Sequence, residues 1–430
     1  MIRFYCFILL LCMGMLSWAQ PTNGPAGLSL DEAVGLGIGN SLELRRNSMD
    51  LASASYSAER LWSELFPTIS ASAGISYSDT LFSEARPGAV NNNPSASASF
   101  GINLGLNAGI PFAMKNIVLG YQARLLSYED ARNQLELRIT RGFYGLIADR
   151  DNLLVLTDIL ELAGLQYERD RVAFGNGRIG ELTLMNSSLA LENARFALSG
   201  ARSAFDNRMG DFLVLIGLEG REAVPEGEIS IVTVELDAER LIMEKLSGRP
   251  DIVARRREIE RLENALKQNL ASTRAPSVRL EAGWNSRSFE PFADSISGGA
   301  TLSIPLDPWV PGTRSNQSSR NARTALEQAR LDLQIAETAA AAQIRSLTTN
   351  LGNLWNNVEI ARLGLGIAER SYELTDVGFR SGTVDSLRLA DARNNLAAAR
   401  QRLLQSELSY FLTILDISAA LNIGWKELMQ

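Results

Sequence analysis

The residue types that carry most protein chemistry are sparse in these 430 residues, and the spacing of those present fits few reactions. There is no histidine, which removes the usual general base and the commonest metal ligand. Histidine-dependent triads and zinc hydrolase centres are excluded. The two cysteines, Cys6 and Cys12, fall within the first twelve residues, so a mature chain lacking them has neither disulfide nor thiolate metal site. Gly35, Gly37 and Gly39 follow no strand and do not make the phosphate-cradling loop of a nucleotide site. No pair of carboxylates sits in a recognisable pocket motif, which speaks against a secreted enzyme. The expectation is a protein with no catalytic residues, no metal and no cofactor, whose work is done by shape.

The opening MIRFYCFILLLCMGMLSWA places Arg3 before an apolar stretch too short to span a bilayer, and ends on Ser17-Trp18-Ala19. Small residues three and one before a cut predict a secretory signal peptide over 1–19. A lipid anchor at Cys12 competes with this, but Leu11 stands where a small residue is expected. Acidic residues outnumber basic ones 49 to 42, and without a basic run the chain is a poor nucleic-acid binder.

The elements are set by a repeat. Steps of seven from Ile139 give Leu146, Leu153, Leu160, Tyr167 and Phe174; steps of seven from Ile344 give Leu351, Val358, Leu365, Tyr372 and Phe379. The series lie 205 residues apart, and each stops at a glycine, Gly177 or Gly382. Beyond the glycines a second pair begins, Leu184, Leu191, Leu198, Phe205, Phe212 against Leu389, Leu396, Leu403, Tyr410, Ile417. A seven-residue apolar repeat keeps its seam facing a partner only by left-handed winding, so duplicated coiled-coil hairpins are predicted.

Proline is absent between Pro111 and Pro225 and after Pro311. Proline breaks helix interiors, so long helices are expected at 113–174 and 312–379, each on the order of 90 to 100 Å. The first repeat then spans 20–220: a short helix 29–65, a β-hairpin 68–110, the long helix, a tip 175–178 and a return helix 179–217. A linker 221–235 follows. The second repeat spans 236–430: a short helix 239–272, a hairpin 277–306, the long helix, a tip 380–383 and a return helix 384–422. Leu30-Asp31-Glu32 and Leu236-Asp237-Ala238-Glu239 put acidic residues at the first turns. The repeats are expected to form one integrated body, since neither half can bury its seam alone.

The hairpins alternate with period two. Ala96, Ala98, Phe100, Ile102, Leu104 and Leu106 face one way, and Ser97, Ser99, Gly101, Asn103 and Gly105 the other. Ile69 to Tyr77, Val278 to Trp284 and Ile296 to Leu306 repeat the pattern, with 80–94 and 287–295 as long connections. A half-buried soluble sheet shows the same period. Serine, glycine and asparagine faces, long connections and a secretory leader without a membrane-spanning helix favour transmembrane barrel strands. Four strands cannot close alone, and lipid tolerates no open sheet edge, so the chain is predicted to oligomerise.

These features resemble the TolC-type outer-membrane efflux protein family over everything after the leader. Leu65-Phe66-Pro67-Thr68-Ile69-Ser70, Arg249-Pro250-Asp251-Ile252, and the run from Tyr372-Glu373 through Val377-Gly378-Phe379 and Gly382 to Leu387-Arg388-Leu389-Ala390-Asp391-Ala392 carry the likeness. The resemblance implies a mainly α fold with a β-barrel portion: a homotrimer with a twelve-stranded barrel in outer-membrane lipid and a twelve-helix periplasmic tunnel. It implies a passive conduit coupled through a periplasmic adaptor to an inner-membrane pump, for efflux or type I secretion. By the same likeness the adaptor meets the helix tips, at Phe174, Gly175, Gly177, Arg178 and Ile179 and at Phe379, Gly382, Thr383, Val384 and Asp385. Family positions that narrow the tunnel match Arg388 and Asp391, the first departing from the acidic pattern; Thr183 and Asn186 occupy those places in the first repeat. The rival reading is a soluble periplasmic coiled-coil adaptor or scaffold.

Overall fold

The protein is described from a computed structural model covering residues 26–76, 95–220, 223–287 and 293–429. The leader with both cysteines and the 80–94 connection lie outside the described residues. In chain order the main elements are β1 (Ala26–Leu28), α1 (Leu30–Asn40), α2 (Leu42–Glu59), β2 (Thr68–Ser76), β3 (Ser95–Asn107), α3 (Ile110–Gly175) and α4 (Glu181–Leu215). The second half supplies β4 (Ala223–Pro225), α5 (Ala238–Lys245), α6 (Pro250–Arg274), β5 (Ser277–Arg287), β6 (Ala293–Ser303), α7 (Arg314–Arg380), α8 (Ser386–Leu421) and α9 (Trp425–Leu428).

The alternating segments form one antiparallel sheet in the order β2-β3-β5-β6. Its register aligns like with like. Ala71, Phe100, Trp284 and Ile296 form one cross-strand row, and Ser72, Ser99, Asn285 and Ser295 another. Partners across a ladder point the same way, so one face is mainly apolar, interrupted by Ser286 and Asp294 in the row of Ala73 and Ala98, and the other is mainly polar. β2 and β6 pair on one side only. Two boundaries differ from the expectation. Ile110 belongs to α3, because Pro111 at the first helical turn starts a helix. β6 stops at Ser303, before the 3-10 turn Asp307–Trp309 that Pro308 favours. The second connection is also shorter than 287–295, since the strands reach Arg287 and Ala293.

α3 and α7 are 66 and 67 residues long, about 100 Å each at 1.5 Å per residue. The short helices are broken where continuous ones were expected. Ser41 caps α2 through the Leu44 amide, so a new helix starts there. Pro250 likewise begins α6 after the 3-10 turn Leu246–Gly248. Asp237 caps α5 as expected, while α1 is capped by Ser29, whose own amide donates to the Glu32 carboxylate.

In the barrel-proximal half the helices pack in the order α2, α3, α6, α7; beyond it the order is α4, α3, α8, α7. Asn264 on α6 donates to the Phe112 carbonyl and Asn116 on α3, and Arg393 on α8 donates to the Leu162 carbonyl, also on α3. The seven-step series supply the cores. Ile139, Leu146 and Phe212 are buried in one cluster, and their counterparts 205 residues on, Ile344, Leu351 and Ile417, in the other. Burying each such side chain stabilises by about 1.5–3 kcal/mol.

The stretch read as a plain linker is structured. β4 pairs in parallel with β1, and Arg150 donates to the Pro225 and Gly227 carbonyls at 3.0 and 2.9 Å. The Tyr410 hydroxyl donates to the Val232 carbonyl and accepts from the Val234 amide, both at 3.0 Å.

Candidate functional site: the helix-hairpin tips and the groove beside them

Each long helix ends in the same backbone motif. The Arg178 amide donates to the Ala173 carbonyl and the Gly177 amide to Phe174; in the second repeat Thr383 donates to Gly378 and Gly382 to Phe379. This double bond is a Schellman cap, which requires a left-handed residue at its turn. Gly177 and Gly382 supply it with φ of +69° and +76°.

Around this shared frame the two tips differ. In the second, the Ser381 and Thr383 hydroxyls both donate to the Gly378 carbonyl at 3.0 Å, and Arg380 pairs with Asp376 at 2.6 Å. Asp385 caps α8, its carboxylate accepting from the Arg388 amide at 2.9 Å. Gly180, the matching residue before α4, has no side chain to do so. Val384 closes onto Gly378, where an added Cβ would stand 2.7 Å from the valine methyl. Phe174, Gly175, Gly177 and Arg178 are exposed and Ile179 half-buried; Gly382, Thr383 and Asp385 are exposed, with Phe379 and Val384 half-buried. The tip residues named from sequence thus form two separate turns, one at the far end of α3 and one at the far end of α7.

Arg388 and Asp391 are separated by their surroundings. Arg388 is exposed on the first turn of α8, and among the described residues no ion pair joins it to Asp391. Asp391 instead lines a groove of about 480 Å³ between α3, α4 and α8, which it shares with Thr183 and Asn186. Sequence reasoning missed what stands at the floor of this groove. Gln166 and Asp170 are 7% and 5% exposed, and the glutamine amide donates to the aspartate at 2.9 Å. Asp170 continues the seven-step series Leu156, Ala163 at a position facing the seam, and a carboxylate there was the available signal. No group of acidic residues able to hold a metal ion occurs among the described residues.

Residues 241–422 match the family model described as Outer membrane efflux protein. Over 431 aligned residues the chain is 24% identical to the probable efflux pump outer membrane protein TtgC of Pseudomonas putida, covering 95% of this chain and 85% of that one. It shares the fold of the Campylobacter jejuni CmeC outer membrane channel, with TM-score 0.75, 18% identity and coverage of 98% and 93%. The fold of the outer membrane protein VceC from Vibrio cholerae matches with TM-score 0.72 at 16% identity, over 92% of this chain and 96% of that one. The second half of the chain is thus similar to the outer membrane efflux protein family, and the chain as a whole has the fold of outer-membrane channels.

Proposed function

We propose that this protein is the outer-membrane channel of an efflux or type I secretion assembly, a passive conduit from periplasm to exterior. The observation that carries this reading is the agreement of the free edges. One edge of the protomer consists of β2, α2 and α4, and the other of β6 and α7. Both carry exposed apolar residues at helical seam spacing. Leu42, Met49 and Tyr56 stand seven apart on α2, and Met185, Leu189 and Phe196 follow on α4; Ile360, Leu363, Ile367, Leu374 and Val377 line α7. Leu42 is 79% exposed, Phe196 82% and Ile367 62%.

Such stripes ask for a partner helix. Because the two edges are different surfaces, copies join head to tail and must close into a ring. Closure also pairs β2 with the next copy's β6, which removes the edges that lipid forbids. Three copies, the number the family likeness implies, give a twelve-stranded barrel with the apolar face outward in the outer membrane. The serine, glycine and asparagine face then lines a water-filled lumen. A soluble periplasmic scaffold has no use for such a sheet.

In the same reading the helix tips, from Phe174 to Ile179 and from Phe379 to Asp385, meet a periplasmic adaptor that couples the channel to an inner-membrane pump. Arg388 and Asp391 lie where the tunnel narrows. Energy comes from the pump, since this chain has no phosphate-binding loop. Cell fractionation tests the reading: the protein is expected in the outer membrane, extracted only by detergent. Recovery as a soluble monomer from a periplasmic extract would overturn it.

A further inference from the structure

The groove between α3, α4 and α8 is built from parts of opposite character. Leu162, Leu182 and Leu387 give it apolar walls, while Asp170 and Asp391 bring two acceptor-only carboxylates into its lining. Gln166 spends its amide N–H on Asp170, which fixes the side-chain orientation, because the flipped amide would set oxygen against carboxylate. Its carbonyl oxygen is then buried without a hydrogen-bond partner. Asp391 also lines the groove and takes part in no hydrogen bond or ion pair among the described residues. The one cation in the lining, Arg393, has its guanidinium turned to the Leu162 carbonyl at 3.1 Å and toward the Tyr372 ring.

An unpaired buried acceptor is costly, and two carboxylates against one guanidinium, whose Nε is itself buried without an acceptor, leave the groove short of positive charge. We infer that this groove is a binding site for a small amphipathic organic ammonium ion. The apolar body of the ligand lies along the leucines, and its N–H groups donate to the Gln166 carbonyl and the Asp391 and Asp170 carboxylates. Charge-assisted bonds of this kind are the strong ones, and a concave apolar site with a few convergent polar atoms is the usual form of a ligand pocket. Since the walls come from both hairpins, an occupant bridges α4 to α8 and holds the two hairpins together. The site lies within one chain and goes beyond the conduit reading without resting on it.

The test is calorimetric titration of the full-length protein in an uncharged detergent with 2-phenylethylamine, and in parallel with the neutral, nearly isosteric 2-phenylethanol. The ammonium is expected to bind about tenfold or more tightly than the alcohol, a preference that charge-assisted bonds supply and apolar contact does not. Asp391→Asn, at an exposed position, is expected to lose most of that preference, and Gln166→Leu to weaken ammonium binding about fivefold or more. Equal affinity for the two probes, binding of neither, or a preference intact in Asp391→Asn would overturn the inference. The asparagine variant keeps the test decisive if Gln166→Leu fails to fold.

Discussion

Gly177 and Gly382 stand 205 residues apart in sequence and end the two long helices in the same left-handed conformation, each closing a pair of hydrogen bonds that runs back across the turn. The relation extends to the return helices. Gly217 at φ +73° and Asn422 at φ +54° occupy the matching positions and close the same bonds. The two halves share the cap geometry while the side chains around it differ.

That divergence sets a ranking of substitutions at the tips. A Cβ at Gly177 or Gly382 meets no atom within 4 Å, so alanine there costs only backbone strain, about 1 kcal/mol. Gly378→Ala must push its methyl into Val384 and is expected to lower the thermal midpoint further than either. Circular dichroism melts of the three variants check the order, and a milder effect at Gly378 would show that Val384 is free to move aside.

The buried and exposed seams separate folding from assembly. Leu351 is buried in its cluster, and Leu351→Ala is expected to cost about 2–5 kcal/mol whatever the oligomeric state. Leu363→Glu with Ile367→Glu alters only the exposed stripe of α7, so helicity is expected to persist while the oligomer dissociates at lower detergent or heat stress. Native gels read beside circular dichroism distinguish the two. An intact oligomer in the double variant would remove α7 from the ring contact.

Asp130 gives a pH signature. Burial, reinforced by the Asp251 carboxylate and opposed by a hydrogen bond from Gln134, raises its pKa above the ordinary 3.8. The unfolded chain then releases this proton at lower pH than the folded one. The penalty is absent below 3.8 and grows as pH rises through the raised value. Asp130→Asn, which keeps an oxygen for Gln134, is expected to melt higher than wild type near neutrality, with the gain vanishing in acid. A gain that is constant with pH would assign it to packing and not to charge.

Much of this was legible because long elements repeat their signal. About ten turns of apolar sevens ending at glycine, and thirteen residues of unbroken alternation in β3, leave little else for the chain to be. The misreadings lie where the signal is short. β1 and β4 have three residues each, too few for a period, and their pairing depends on contacts across the whole first repeat. The breaks at Ser41 and Pro250 were marked by a capping residue and a helix-starting proline, local cues that the apolar spacing masked. The groove rests on Gln166, Asp170 and Asp391, drawn from two hairpins that only packing brings together. Asp170, a carboxylate on a seam, was its one visible trace.

The adaptor role of the tips is open to direct trial. Gly382→Trp puts a large side chain on the exposed turn, where no neighbour within 4 Å opposes it. Export is expected to fail while assembly survives, read by substrate efflux from cells and by the oligomer band from their membranes. Undiminished efflux with a normal band would take the second tip out of the adaptor contact.

The central claim is that copies of this chain close edge to edge into one barrel. Native mass spectrometry of the protein extracted from outer membranes measures this directly. Three chains in a particle that requires detergent is the predicted result, and a detergent-independent single chain would contradict it.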